Sequence, residues 1–173
     1  IVSSIEHESI LETARDLERE GVEVIYLPVS REGIVDLKKL ERSLNERTVL
    51  VSIMYANNEI GTVQPISEIS NIIRNFRKQI ANRPDGEAVA DPRLRRDKTQ
   101  ILNDSRLAIS AMPLFHTDAV QAFQYLNCNV DGLGVDLMTL SAHKIYGPKG
   151  IGALYARQSA KREAQSVLKR FAI

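Results

Sequence analysis

Apolar positions recur along the chain at two alternating periods, that of helices and that of strands. From Glu8 to Glu20, Ile10, Leu11, Ala14 and Leu17 fall on one helical face, and Gly21 follows as a stop. Val22–Val29 reads as a strand rich in β-branched residues. Asp36 is placed to cap a short helix on which Leu37, Leu40 and Leu44 share a face. Thr48–Tyr55 is a nearly continuous apolar run, which predicts a strand buried on both sides. Pro65 suits a first helical turn, with Ile66, Ile69, Ile73 and Phe76 at helical spacing behind it.

The pattern fails from about Lys78 to Met112, where Pro84-Asp85-Gly86, Asp91-Pro92 and the charged run Arg93–Lys98 occur. Long structureless loops are uncommon inside a compact domain, so 78–112 is expected to be a surface insertion. Order resumes with strands at Leu114–Asp118, Asp136–Ser141 and Ile151–Ala156, and with a helix over Ala119–Tyr125. Residues 158–173 read as a polar, divergent tail with a weak helical face. Strands separated by helices predict an α/β fold: a three-layer sandwich around a mostly parallel sheet.

Composition narrows the function. At 43% hydrophobic residues the 173-residue chain can bury a substantial core, and a net charge of +1 gives no electrostatic footprint for nucleic acid or a membrane surface. No apolar run approaches the roughly 20 residues of a membrane span, and a cytoplasmic location is expected. Cys128 is the one cysteine, which excludes an intrachain disulfide framework. The chain opens at Ile1 and is read as a piece of a longer protein.

In an open α/β sheet, ligands bind beyond the carboxyl ends of the strands. The polar residues of interest fall at such ends: Asn57-Asn58-Glu59 after Thr48–Tyr55, Asp118 and Gln121 at and beyond Leu114–Asp118, and Ser141-Ala142-His143-Lys144 after Asp136–Ser141. A lysine there can attack a carbonyl carbon, and a carboxylate on a neighbouring strand can pair with a cationic heterocycle. Amides can bond a ring hydroxyl, and Ser141 and His143 can bind a phosphate. Pyridoxal 5'-phosphate unites these demands. Spacing alone suggests that cofactor without establishing it.

The same residues carry a resemblance. Tyr-Ala-Asn-Asn-Glu-Ile-Gly-Thr-Val-Gln-Pro (55–65), Phe-His-Thr-Asp-Ala-Val-Gln (115–121) and Ser-Ala-His-Lys-Ile-Tyr-Gly-Pro-Lys-Gly-Ile-Gly-Ala-Leu-Tyr (141–155) resemble cysteine desulfurases of the NifS/IscS kind, which are fold-type I pyridoxal phosphate enzymes within the class V aminotransferases. Ser4-Ile5-Glu6-His7 resembles the segment that sets a histidine over the cofactor ring. The likeness covers residues 1–77 and 113–157, as the central part of the cofactor-binding large domain. It implies that Lys144 holds the cofactor and later shuttles a proton, and that Asp118 pairs with the ring nitrogen. Asn58 and Gln121 would act near the ring hydroxyl, Ser141 and His143 at the phosphate, and His7 over the ring and in proton transfer. The implied reaction converts L-cysteine to L-alanine and passes sulfur to an enzyme cysteine as a persulfide. A homodimer and a sulfur-accepting or iron–sulfur scaffold partner are also implied.

The departures bound that expectation. The upstream phosphate-holding turn, the loop bearing the sulfur-accepting cysteine and the small C-terminal domain have no counterpart in this sequence, so the fragment alone is expected to be inactive. Cys128 does not match the nucleophile's motif and is read as structural or incidental. His116 is expected to be structural, its side chain alternating away from the neighbours of Asp118. Tyr146 and Tyr155 are expected to pack, and Asp131 and Asp136 to cap turns or strands. Zinc is not expected, since no histidine pair has i, i+4 spacing. Neither a dinucleotide fingerprint nor a phosphate-binding P-loop is present. Selenocysteine lyase and a non-catalytic, dimer-forming remnant are the alternative readings.

Overall fold

The computed structural model describes residues 1–82 and 112–160. Six strands form one sheet: β1 (Val2–Ser3), β2 (Tyr26–Leu27), β3 (Leu50–Ser52), β4 (Leu114–Asp118), β5 (Leu137–Ser141) and β6 (Gly152–Ala156). Their order is β2-β1-β3-β4-β5-β6, parallel from β2 through β5, with β6 antiparallel at the edge. Helices α1 (Glu8–Arg19), α2 (Leu37–Ser43), α3 (Ile66–Ala81) and the single turn α4 (Val130–Leu133) fill the crossovers. This is the expected mostly parallel α/β sheet.

Local chemistry sets most boundaries. Asp36 Oδ1 accepts the Lys39 amide at 2.9 Å and starts α2. After α1, Gly21 takes φ 92°, and the Gly21 and Val22 amides reach back to the Glu18 and Leu17 carbonyls, the paired bonds of a glycine-terminated helix. The strand expected over 22–29 shrinks to Tyr26–Leu27, because Val22 is half-exposed and Pro28 brings no N–H to a ladder. The expected 48–55 strand keeps its β4 bonds from Val49 to Tyr55, although Leu50 is 40% exposed. No helix forms over 119–125; overlapping turns on the Ala119 and Ala122 carbonyls replace it. Instead Asn129 caps the unforeseen α4 by accepting the Asp131 and Gly132 amides. Helix α3 runs on to Ala81, past the expected break at Lys78. The rest of the 78–112 insertion and most of the 158–173 tail lie outside the described residues.

Strand alternation gives the sheet two unlike faces. On one, Val51, Ile53, Phe115 and Met138 pack with Leu40 and Leu44 near α2, Ile66, Ile69 and Ile73 of α3, and Leu133 of α4. On the other, Ser52, His116, Asp118, Thr139 and Ser141 follow one another across β3, β4 and β5. The chain leaves β1 toward β2 and leaves β3 toward β4, so its path reverses between those neighbouring strands. Such a reversal opens a crevice at the strands' carboxyl ends.

One polar network holds the core face together. The Asp136 carboxylate accepts the Phe115 amide at 2.9 Å and pairs with Arg77 of α3, while Arg77 Nε donates to the Pro113 carbonyl at 3.0 Å. Asp136 therefore ties helix to sheet rather than capping a strand. Asp136→Ala leaves the Phe115 amide without its acceptor and Arg77 with the Pro113 carbonyl alone, and about 3 kcal/mol of stability should be lost. Urea unfolding of the full-length chain measures it, and a loss below about 1 kcal/mol would remove the network from this role.

Candidate active site

All seven residues singled out from the sequence fall along one edge. His7 follows β1, Asn58 follows β3, Asp118 ends β4 with Gln121 just beyond, and Ser141, His143 and Lys144 end or follow β5. Strands β1, β3, β4 and β5 are adjacent and parallel, so their carboxyl ends share a rim.

Each side chain has a distinct setting. His7 is the N-cap of α1: its Nδ1 accepts the Ser9 amide at 3.2 Å and lies 2.9 Å from Ser9 Oγ. Accepting at Nδ1 puts the proton of a neutral ring on Nε2. Asp118 is half-buried; its Oδ1 accepts the Val120 amide at 2.8 Å, and no donor among the described residues reaches Oδ2. Lys144 is exposed in the short 3-10 turn Ala142–Ile145 and makes no hydrogen bond or ion pair with the described residues. Ser141 Oγ and His143 Nδ1 lie 2.7 Å apart. Asn58 is exposed and Gln121 half-buried, neither amide engaged by a described residue. The turn after Lys144 closes through Tyr146 at φ 62°, a conformation costly for a non-glycine residue. Tyr146 is 93% exposed, so it does not pack as expected; the left-handed turn carries it away from the sheet.

His116 sits two residues before Asp118 and shares its face. Its Nδ1 is 2.8 Å from Ser52 Oγ and its Nε2 2.8 Å from Thr139 Oγ1, a chain linking three strands. Burial lowers its affinity for a proton, while the field of Asp118 opposes that shift. With both nitrogens bonded, the ring matches its structural reading. Cys128 is half-buried and its thiol is pushed up by burial, which disfavours the thiolate a nucleophile needs. Asp131 is paired with Arg157 at 3.3 Å.

The sequence reading gave no role to two rim residues, Glu6 and Asn57. Glu6 is buried, its Oε1 accepting from Ser3 Oγ at 2.5 Å and from the Met54 amide at 2.8 Å, its Oε2 without a partner. Burial, with a smaller contribution from the Asp118 charge, raises its pKa to about 7. Asn57 is buried too, donating to the Ile5 carbonyl at 2.9 Å and accepting the Glu59 and Ile60 amides. The one available signal was Glu6 itself, a lone acid between a strand and a helix cap.

The acid sets a pH dependence. Unfolded, Glu6 ionises near 4.5; folded, near 7, so the native chain holds its proton more tightly. Stability is greatest below the unfolded value and falls as pH rises through about 7. The loss attributable to this group approaches about 3 kcal/mol. Glu6→Gln should abolish that part of the decline. Urea unfolding at two pH values, one below 4.5 and one above 7, would read this as an advantage of Gln over Glu that grows with pH; a constant difference would refute it.

The donor set (a primary amine and a carboxylate oxygen without partners among the described residues, and a hydroxyl–imidazole pair) fits an aldehyde-bearing, cationic, phosphorylated ring. Comparison with known proteins agrees in kind. The family model described as aminotransferase class-V matches residues 1–82 and 105–169. Cysteine desulfurase IscS of Dictyoglomus turgidum is 42% identical over 161 residues, covering 93% of this chain and 32% of that protein. A mitochondrial cysteine desulfurase of Candida albicans is 39% identical over 158 residues, covering 91% of this chain and 25% of its own length. Among solved structures, a NifS-like protein superposes with a TM-score of 0.69 at 34% identity, and SspA in complex with cysteine with 0.66 at 35%. Each match covers 91% of this chain and, respectively, 34% and 35% of the other. The chain thus spans a quarter to about a third of the length of these relatives. Sheet order, rim and sequence similarity agree: the chain belongs to the class-V aminotransferase family.

Proposed function

We propose that this chain supplies the central part of a pyridoxal phosphate-dependent cysteine desulfurase, which converts L-cysteine to L-alanine and passes sulfur to an enzyme cysteine as a persulfide. The observation that carries the reading is the gathering of lysine, aspartate, amides and histidines on one rim of four adjacent parallel strands. The cofactor, when bound, supplies an electron sink for charge developing at the substrate's Cα. Lys144 Nζ would hold the cofactor's aldehyde carbon and then accept the proton leaving Cα. Asp118 would face the ring nitrogen and keep it protonated by its negative charge. Ser141 Oγ and His143 would hold the phosphate, and Asn58 and Gln121 the ring hydroxyl. His7, its Nε2 protonated, is placed to stack on the ring and to give or take a proton. The high thiol pKa of Cys128 supports placing the sulfur-accepting cysteine elsewhere in the complete protein.

A homodimer and delivery to an iron–sulfur scaffold complete the proposal. The exposed side chains of Ile60, Tyr125, Tyr146 and Leu154 offer apolar surface for a second subunit. A cytoplasmic location is proposed from the bacterial relatives.

In the full-length protein, added pyridoxal phosphate should produce a visible absorption band that Lys144→Ala abolishes. Asp118→Asn should retain cofactor yet lower alanine release from cysteine about a hundredfold or more. No band from folded wild-type protein would favour a non-catalytic remnant. A marked preference for selenocysteine would move the substrate to selenium, and unchanged turnover in Asp118→Asn would defeat its assignment.

A further inference from the structure

The path reversal between β1 and β3 is crossed by two side-chain ties. Glu6 Oε1 accepts the Met54 amide at 2.8 Å, joining the turn after β1 to the segment after β3. Asn57 returns the connection by donating from Nδ2 to the Ile5 carbonyl at 2.9 Å. The segment so fastened ends in His7 at the start of α1, and the loop so fastened carries Asn58. Ser3 Oγ, at the end of β1, braces the same Glu6 oxygen at 2.5 Å. Among the described residues, neither His7 nor Asn58 has a bond of its own across the gap, so their relative placement rests on their immediate neighbours in sequence.

We propose that Glu6 and Asn57 are positioning residues, whose paired bonds across the β1–β3 crevice hold the His7 turn and the Asn58 loop at one fixed spacing for the cofactor ring. The consequence for catalysis rests on the cofactor reading above; the mechanical tie does not. A ring set between an imidazole and an amide needs both within a fraction of an ångström of their working positions, and groups on loops reach that precision only when neighbouring bonds lock them. Asp118, on β4, is the charged group whose field reaches Glu6. A carboxyl buried beside that anion favours its neutral form, in which Oε1 still accepts and the glutamine amide is a close mimic.

Three variants of the full-length protein test this: Glu6→Ala, Glu6→Gln and Asn57→Ala. In the cofactor-free protein, amide hydrogen exchange over Ile5–Ser9 should quicken about tenfold or more in Glu6→Ala and Asn57→Ala. Peptides from α3 should exchange as in wild type, and Glu6→Gln should restore slow exchange. In the loaded protein the two alanine variants should lower kcat at least about tenfold with KM for cysteine within about threefold, and Glu6→Gln should recover most of kcat. Unchanged exchange over Ile5–Ser9, or acceleration equal in α3, would overturn the proposal. If Glu6→Ala does not fold, Asn57→Ala, which cuts the other tie, decides. If wild-type protein binds no cofactor, the functional reading fails while the exchange comparison still decides whether the tie exists.

Discussion

Everything at the rim depends on the parallel pairing of β1, β3, β4 and β5. Parallel strands must all point the same way, so each connection crosses back over the sheet and each strand delivers its carboxyl end to the same edge. Asp118 pairs in register with Thr139, two residues before Ser141, and the Asp118 carbonyl accepts the Tyr55 amide just ahead of Asn57 and Asn58. Residues as far apart in the chain as Ser52 and His116 thereby become neighbours on adjacent strands. A slip of one residue in β4 would turn Asp118 toward Phe115's apolar face and leave the rim without its carboxylate.

Alternation within the strands divides labour between the two faces. Phe115 and Met138 anchor the apolar side, while His116 and Asp118 look the other way. The polar face is costly to bury, and the chain meets that cost with side-chain bonds: His116 between Ser52 and Thr139, and Asn57 at both ends of its amide beyond β3. Against that background Glu6 Oε2 stands apart as a buried oxygen with no partner. Its resolution is protonation, which burial already favours near neutral pH.

The groups fitted for chemistry contrast with those fitted for support. Lys144, Asn58 and His143 are exposed, and Asp118 keeps one oxygen free of donors. Glu6, Asn57 and His116 are buried and bonded. Preorganised sites have this construction, in which rigid neighbours fix a few reactive groups left open toward a ligand. Asn57 and Asn58, identical and adjacent, differ in setting for the same reason: Asn57 is buried and bonds the loop, whereas Asn58 is exposed on it.

The sequence by itself determined the helices with strong caps and faces, the alternating α/β order, and which polar side chains fall at strand ends, because those depend on neighbours within a few residues. Asp36 at its cap, Gly21 at its stop and the run into Asp118 were all legible locally. Tertiary structure alone decided the rest. The 22–29 strand was trimmed by what lay beside it, the 119–125 helix gave way to turns, and Asp136 became a brace because Arg77 and the Phe115 amide reach it across long stretches of chain. Glu6 shows the same limit most plainly. Its burial, its tie to Met54 and its raised affinity for a proton come from groups nearly fifty residues or more away in sequence, which only folding brings within reach.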